Sequence, residues 1–188
     1  MATLPFDPSR LAPAEKAIYD RMQAKRTAAG APLAGLYLAL MNHPELAEKI
    51  EALGYFLKFE GALSREVYQF VVLTVARHCG AAFEWVDHVA QARAAGVPDA
   101  VIDAVRTGGT AALPEPYATA RPVLTAALAW QDVPQAAQDA AIARFGMKGF
   151  VELVVLGGFY EMFSSINEGF AVALPEGTRL YLLAPVVR

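Results

Sequence analysis

Cysteine is almost missing from this sequence: Cys79 is the only one among 188 residues. An intrachain disulfide is therefore impossible, and a zinc site built mainly from thiolates is excluded as well. Charge is scarce too. Charged residues make up 19% and apolar ones 55%, whereas an average soluble domain is about a quarter charged. No run of Lys or Arg occurs and the formal net charge is -3, so the chain has no electrostatic footprint for a nucleic-acid partner. No apolar run reaches the roughly 18 residues that a spanning helix needs. The longest candidates, Phe70 to Ala76 and Leu153 to Tyr160, end at Arg77 and Glu161. The opening MATLPFDPSR lacks a basic stretch followed by an apolar one, so we expect no signal peptide, no membrane partner and a cytoplasmic location.

What is present reads as helix. The length suits a single domain, 1–188, with room for a core that needs no covalent staples. The surplus of apolar residues predicts a homo-oligomer in which another subunit covers part of that surface. Ala14 to Arg26 has helical character and is broken at Gly30, Ala31 and Pro32. Leu33, Leu36, Tyr37 and Leu40 keep helical spacing. Pro44 suits the first position of a new helix, whose apolar members are Leu46, Ile50, Leu53 and Leu57. Ser64 is a fitting N-cap for Arg65 to Cys79. The stretch FVVLTVA within that segment is β-branched enough for a buried strand. The capping residue, the helix-compatible flanks and the absence of a turn signal favour a helix.

Gly80 marks a turn, and Ala81 to Ala95 forms a further helix closed by Gly96. Asp99 to Arg106 follows Pro98, and Thr107 to Pro116 is the clearest loop. Tyr117 to Trp130 and Pro134 to Phe145 are Ala-rich helices, the second stopped by Gly146. Gly149 to Phe170 is a long apolar helix, and the stretch from Leu174 to Arg188 reads as a docking tail. The sum is an all-α fold of about eight helices.

The central segment, Ser64 to Val97, reads SREVYQFVVLTVARHCGAAFEWVDHVAQARAAGV. Its Phe83-Glu84-Trp85, His88 and Ala95-Gly96-Val97 resemble the core motif of the carboxymuconolactone decarboxylase / alkylhydroperoxidase-like family. His43-Pro44-Glu45-Leu46 and the late helix Phe150 to Phe170 agree with it, so the likeness spans most of residues 32 to 175. The family's peroxidase members carry Cys-x-x-Cys-x-x-x-His. Counted back from His88, the cysteine positions fall at Ala81 and Glu84, and a further acidic position falls at Gln69. The resemblance therefore implies the non-redox branch, whose named activity is decarboxylation of a cyclic lactone acid.

Glu84 and His88 lie four apart and share one helix face. Such a pair can move a proton next to a carbonyl, with His88 as acid/base and Glu84 orienting the ring and raising its basicity. The plainer reading is a surface i,i+4 pair. Arg77 and Trp85 are candidate substrate-binding residues, Arg77 because a guanidinium fork fits a carboxylate. Cys79, just ahead of a helix, is a candidate reactive thiol. No metal and no cofactor are expected. These residues suggest a lyase or isomerase for a small carboxylate or lactone. The alternatives are a thiol-dependent peroxidase using Cys79 and a non-catalytic binding protein on the same scaffold.

Overall fold

A computed structural model of the chain describes residues 4–28, 33–109 and 112–174. The expected break at Gly30 to Pro32 and nearly all of the expected docking tail lie outside these residues. Within them the fold is all-helical and has no strand. The α-helices are α1 (Pro13–Ala28), α2 (Leu36–Leu40), α3 (Pro44–Tyr55), α4 (Arg65–Cys79), α5 (Ala82–Ala94), α6 (Asp99–Thr107), α7 (Tyr117–Leu128) and α8 (Gln135–Gly169). A π-helical turn, Phe56–Glu60, follows α3 directly.

Helix α4 is the axis of the molecule. Ser64 Oγ accepts the Val67 amide at 3.4 Å, and Gly80, at φ 68°, ends the helix in the left-handed region. Every residue from Val67 to Leu73 is buried. Burial on all sides explains the β-branched composition that made this segment ambiguous as sequence: it needs no polar face. Helices α5, α6, α7 and α8 surround it, while α1 packs on α3 and α2 bridges α3 and α8.

Helix α3 departs from the expected pattern. Its buried residues are Pro44, Ala47 and Ile50, while Leu46 and Leu53 are exposed. Helix α1 meets α3 through the ion pairs Arg21–Glu48 and Lys25–Glu51, one helical face away from the expected leucine row. Residues 70–75 and 150–155 share the pattern Phe-Val-x-Leu-x-Val but differ in burial. Phe70, Val71 and Val75 are in the core, but Val151 and Val155 are exposed.

Helix α8 is two helices joined at Gly146, whose φ 72° and ψ 170° are non-helical. Only glycine occupies that region without strain, although a Cβ there would meet nothing within 4 Å. Gly146→Ala is therefore expected to destabilise the fold by about 1–3 kcal/mol. Urea unfolding checks this, and an unchanged midpoint would show that the bend relaxes freely. Beyond the bend, Met147, Val151, Val154, Val155 and Met162 leave an exposed apolar stripe along α8. No helix of the described residues is long and apolar enough to cross a membrane.

Candidate active site

Helix α5 buries an unusual face. Its inward positions at four-residue spacing are Glu84, His88 and Ala92. Two of the three are ionisable groups where a packing helix would carry aliphatic ones, and they are only 3% and 4% exposed. Beside them opens a cavity of about 630 Å³, a size ordinary for a small-molecule site. Glu84 and His88 line it together with Tyr37, Tyr68, Phe83, Phe159, Tyr160 and Phe163. Rings from α2, α4, α5 and α8 thus form an apolar wall around one acid and one imidazole.

Hydrogen-bond polarity sets the state of the imidazole. The Lys58 ammonium donates to Gln91 Oε1 at 3.0 Å. An ammonium can only donate, so Gln91 turns its carbonyl oxygen to Lys58. Its amide nitrogen then donates to the Asp87 carbonyl oxygen and Oδ2, both at 3.1 Å. Gln69 Nε2 donates to the same Gln91 oxygen at 3.5 Å. That leaves Gln69 Oε1 to accept from His88 Nδ1 at 2.8 Å. A neutral His88 therefore carries its proton on Nδ1 and presents a bare Nε2. Tyr160 Oη lies 3.4 Å from that Nε2 and 2.7 Å from Tyr68 Oη. In this polarity Tyr68 donates to Tyr160, and Tyr160 donates to the ring.

Glu84 Oε2 is 3.6 Å from Nε2, and Asp87 Oδ2 stands at the same distance. Asn167 Nδ2 donates to the other Glu84 oxygen, Oε1, at 2.5 Å. Burial, with the nearby Asp87 charge, pushes the Glu84 carboxyl up to about 7, against the weaker pull of the Asn167 hydrogen bond. Burial, with the charges of Lys58 and Arg65, pushes His88 down to about 3. The direction is the reverse of that expected from spacing alone: the carboxyl, not the ring, holds the proton near neutrality. With Oε1 accepting from Asn167, the proton belongs on Oε2, the oxygen 3.6 Å from His88 Nε2.

Two of the residues singled out from the sequence thus meet at one cavity. The others lie elsewhere. Arg77, at the end of α4, donates from Nε to the Arg106 carbonyl oxygen at 2.9 Å and does not line the cavity. Trp85 is buried in the core, also outside the lining. Cys79, half-buried at the last residue of α4, is outside it as well. Lys58, Gln91, Tyr68, Tyr160 and Asn167 were missed. Tyr160 was visible only as one aromatic residue among many. The signal available for Lys58 was a lone cation in the apolar run YFLKF.

An all-helical scaffold thus carries a sheltered acid–imidazole pair beside an aromatic-walled cavity. Residues 44–132 match the family model of the Carboxymuconolactone decarboxylase family. That segment contains α3, the π turn, α4 and α5, and with them Lys58, Gln69, Glu84, His88 and Gln91. Tyr160 and Asn167 come from α8, beyond the matched residues. No curated protein and no solved structure matches the chain.

Proposed function

We propose that the chain is a cofactor-free lyase, of the decarboxylase kind, or an isomerase, acting on a small carboxylate or lactone. The observation that carries this reading is the buried Glu84–His88 pair opening into an aromatic-walled cavity of about 630 Å³. In decarboxylation, the bond from the ring or chain carbon to the carboxylate breaks and its electron pair delocalises into an adjacent carbonyl. Glu84 Oε2 delivers its proton to the resulting carbanion, carbon dioxide departs, and the carboxylate recovers a proton from water. His88 Nε2, 3.6 Å from Glu84 Oε2, offers a nearby site for a proton passing to or from the carboxyl. For isomerisation the same two groups remove and return one proton. General acid–base action of this type contributes about 10²–10⁴-fold.

The test is a screen of small carboxylic acids and lactones for released carbon dioxide or an isomerised product, read by NMR. Glu84→Gln and His88→Gln are each expected to slow turnover about 100-fold. Full turnover in both variants would end the acid–base reading.

The exposed stripe Met147, Val151, Val155 and Met162 on α8 supports the homo-oligomer, since a monomer rarely leaves so long an apolar stripe in water. Light scattering is expected to give a mass that is a multiple of 20.2 kDa. Val151→Asp is expected to shift it downward; a 20.2 kDa particle for the unaltered chain would remove the assembly.

A further inference from the structure

Three cations line the cavity, Lys25 and Arg26 from the last turn of α1 and Lys58 from the π turn. They are not equivalent. Lys25 Nζ is held by both oxygens of Glu51, at 3.0 and 3.1 Å, so its charge is already matched. Arg26 has no such partner for Nε, a buried atom without a hydrogen-bond acceptor among the described residues. Its guanidinium lies over the Tyr37 ring, 4.9 Å from the centroid, and Tyr37 itself lines the cavity. A cation at a helix end ordinarily turns to the last carbonyls or into water. Here it is drawn inward and left with a donor to spare.

Lys58 is half-buried, and its one hydrogen bond is to a neutral amide oxygen, on Gln91. Arg65, which donates to the Lys58 carbonyl oxygen at 2.8 Å, braces the π turn that presents it. Of the acidic groups on the same wall, Glu51 is spent on Lys25, and Asp87 accepts from Gln91. Glu84, whose carboxyl burial pushes up to about 7, is engaged with Asn167. Among the described residues Arg26 and Lys58 thus form no ion pair, although the Asp87 charge on the same wall acts on Lys58.

We infer that Arg26 and Lys58 form an anion subsite that receives a carboxylate carried on a flat, apolar body. The guanidinium edge, with its free Nε, offers the side-on fork that a carboxylate fits, and the ammonium supplies a second donor. The rings of Tyr37, Phe83 and Phe159 face the rest of the molecule. This inference rests on reading the cavity as a small-molecule site. It moves the carboxylate-binding role from Arg77 to residues that share a cavity with Glu84 and His88.

Calorimetric titration of the whole chain with benzoate, its neutral isostere benzamide, and inorganic phosphate tests the assignment. Benzoate is expected to bind saturably and at least about tenfold more tightly than benzamide or phosphate. Lys58→Met and Arg26→Met are each expected to weaken benzoate about tenfold, and Lys25→Met less than about threefold. The comparison of the three probes on the unaltered chain needs no variant to fold. The subsite is overturned by any of three results: no benzoate binding up to about 10 mM, equal affinity for benzamide or phosphate, or equal losses for all three cation variants. Because the titration reads binding alone, the acid–base reading can fail with this subsite intact, and the reverse.

Discussion

Between about pH 4.5 and 6.5 the Glu84–His88 pair is expected to add no slope to the stability of the fold, and removing either partner is expected to expose a steep one. Glu84 is raised from 4.5 to about 7 in the folded chain. Its contribution is therefore fully present below pH 4.5 and is lost as pH rises to 7, because the unfolded chain gives up a proton that the native state keeps. His88 is lowered from 6.5 to about 3. Its contribution is present above pH 6.5 and is lost as pH falls to 3, because the unfolded chain takes up a proton that the native state refuses. In the shared window the unfolded pair holds one proton on the imidazole, and the native pair holds one on the carboxyl. The proton counts are equal and the slopes cancel.

In His88→Gln only the carboxyl slope remains, and stability should fall by about 3 kcal/mol between pH 4.5 and 7. In Glu84→Gln only the ring slope remains, and stability should fall by up to about 5 kcal/mol between pH 6.5 and 3. Urea midpoints measured across this range for the three proteins decide it. Parallel curves would mean that neither group carries a displaced proton.

The fold was legible because its signals are local. Ser64 as a cap, Gly80 and Gly96 as stops, and Pro44 at a helix start are each set by backbone chemistry within a few residues, and each stands where the pattern predicts. The pairing of Glu84 with His88 was legible for the same reason, since four residues make one helical turn. The partners that decide what the pair does were not. Asn167 reaches Glu84 across 83 residues, Tyr160 reaches His88 across 72, and Gln69 reaches it across 19. No periodicity links those positions, so their donors and acceptors could not be assigned from spacing. Burial had the same effect on electrostatics. Spacing suggests a carboxylate that strengthens a base, whereas exclusion of water makes the carboxyl the weaker acid and leaves the ring neutral. Arg77 was chosen for ending a very apolar run. That run is the axis of the core, and its end points away from the cavity, toward the Arg106 carbonyl.

Exchanging one atom at position 69 is expected to raise the share of ring that carries a second proton. Gln69 is fully buried, and its amide oxygen accepts from His88 Nδ1 at 2.8 Å while its amide nitrogen points to Gln91. Gln69→Glu keeps the shape and replaces the amide nitrogen by a second oxygen. The new carboxylate would sit in hydrogen-bond contact with a ring that burial holds neutral. An opposite charge at that range favours the charged imidazole by about 1–3 pH units, or about 1–4 kcal/mol. The imidazolium would donate from both nitrogens, Nδ1 to the new carboxylate and Nε2 toward Glu84, and Glu84 would be drawn down from about 7.

The amide accepts from Nδ1 and, unlike a carboxylate, brings no charge that would favour the imidazolium. Nitrogen-15 NMR of the ring reads the outcome directly. Near pH 6 the unaltered chain should show one protonated nitrogen, Nδ1, and Gln69→Glu should show a larger share of doubly protonated ring. Gln69→Leu should leave Nδ1 without its acceptor, destabilise the fold by about 1–3 kcal/mol and free the tautomer to mix. If all three proteins kept the same neutral tautomer, control of the ring would have to lie with Tyr160 and Glu84 on the opposite side.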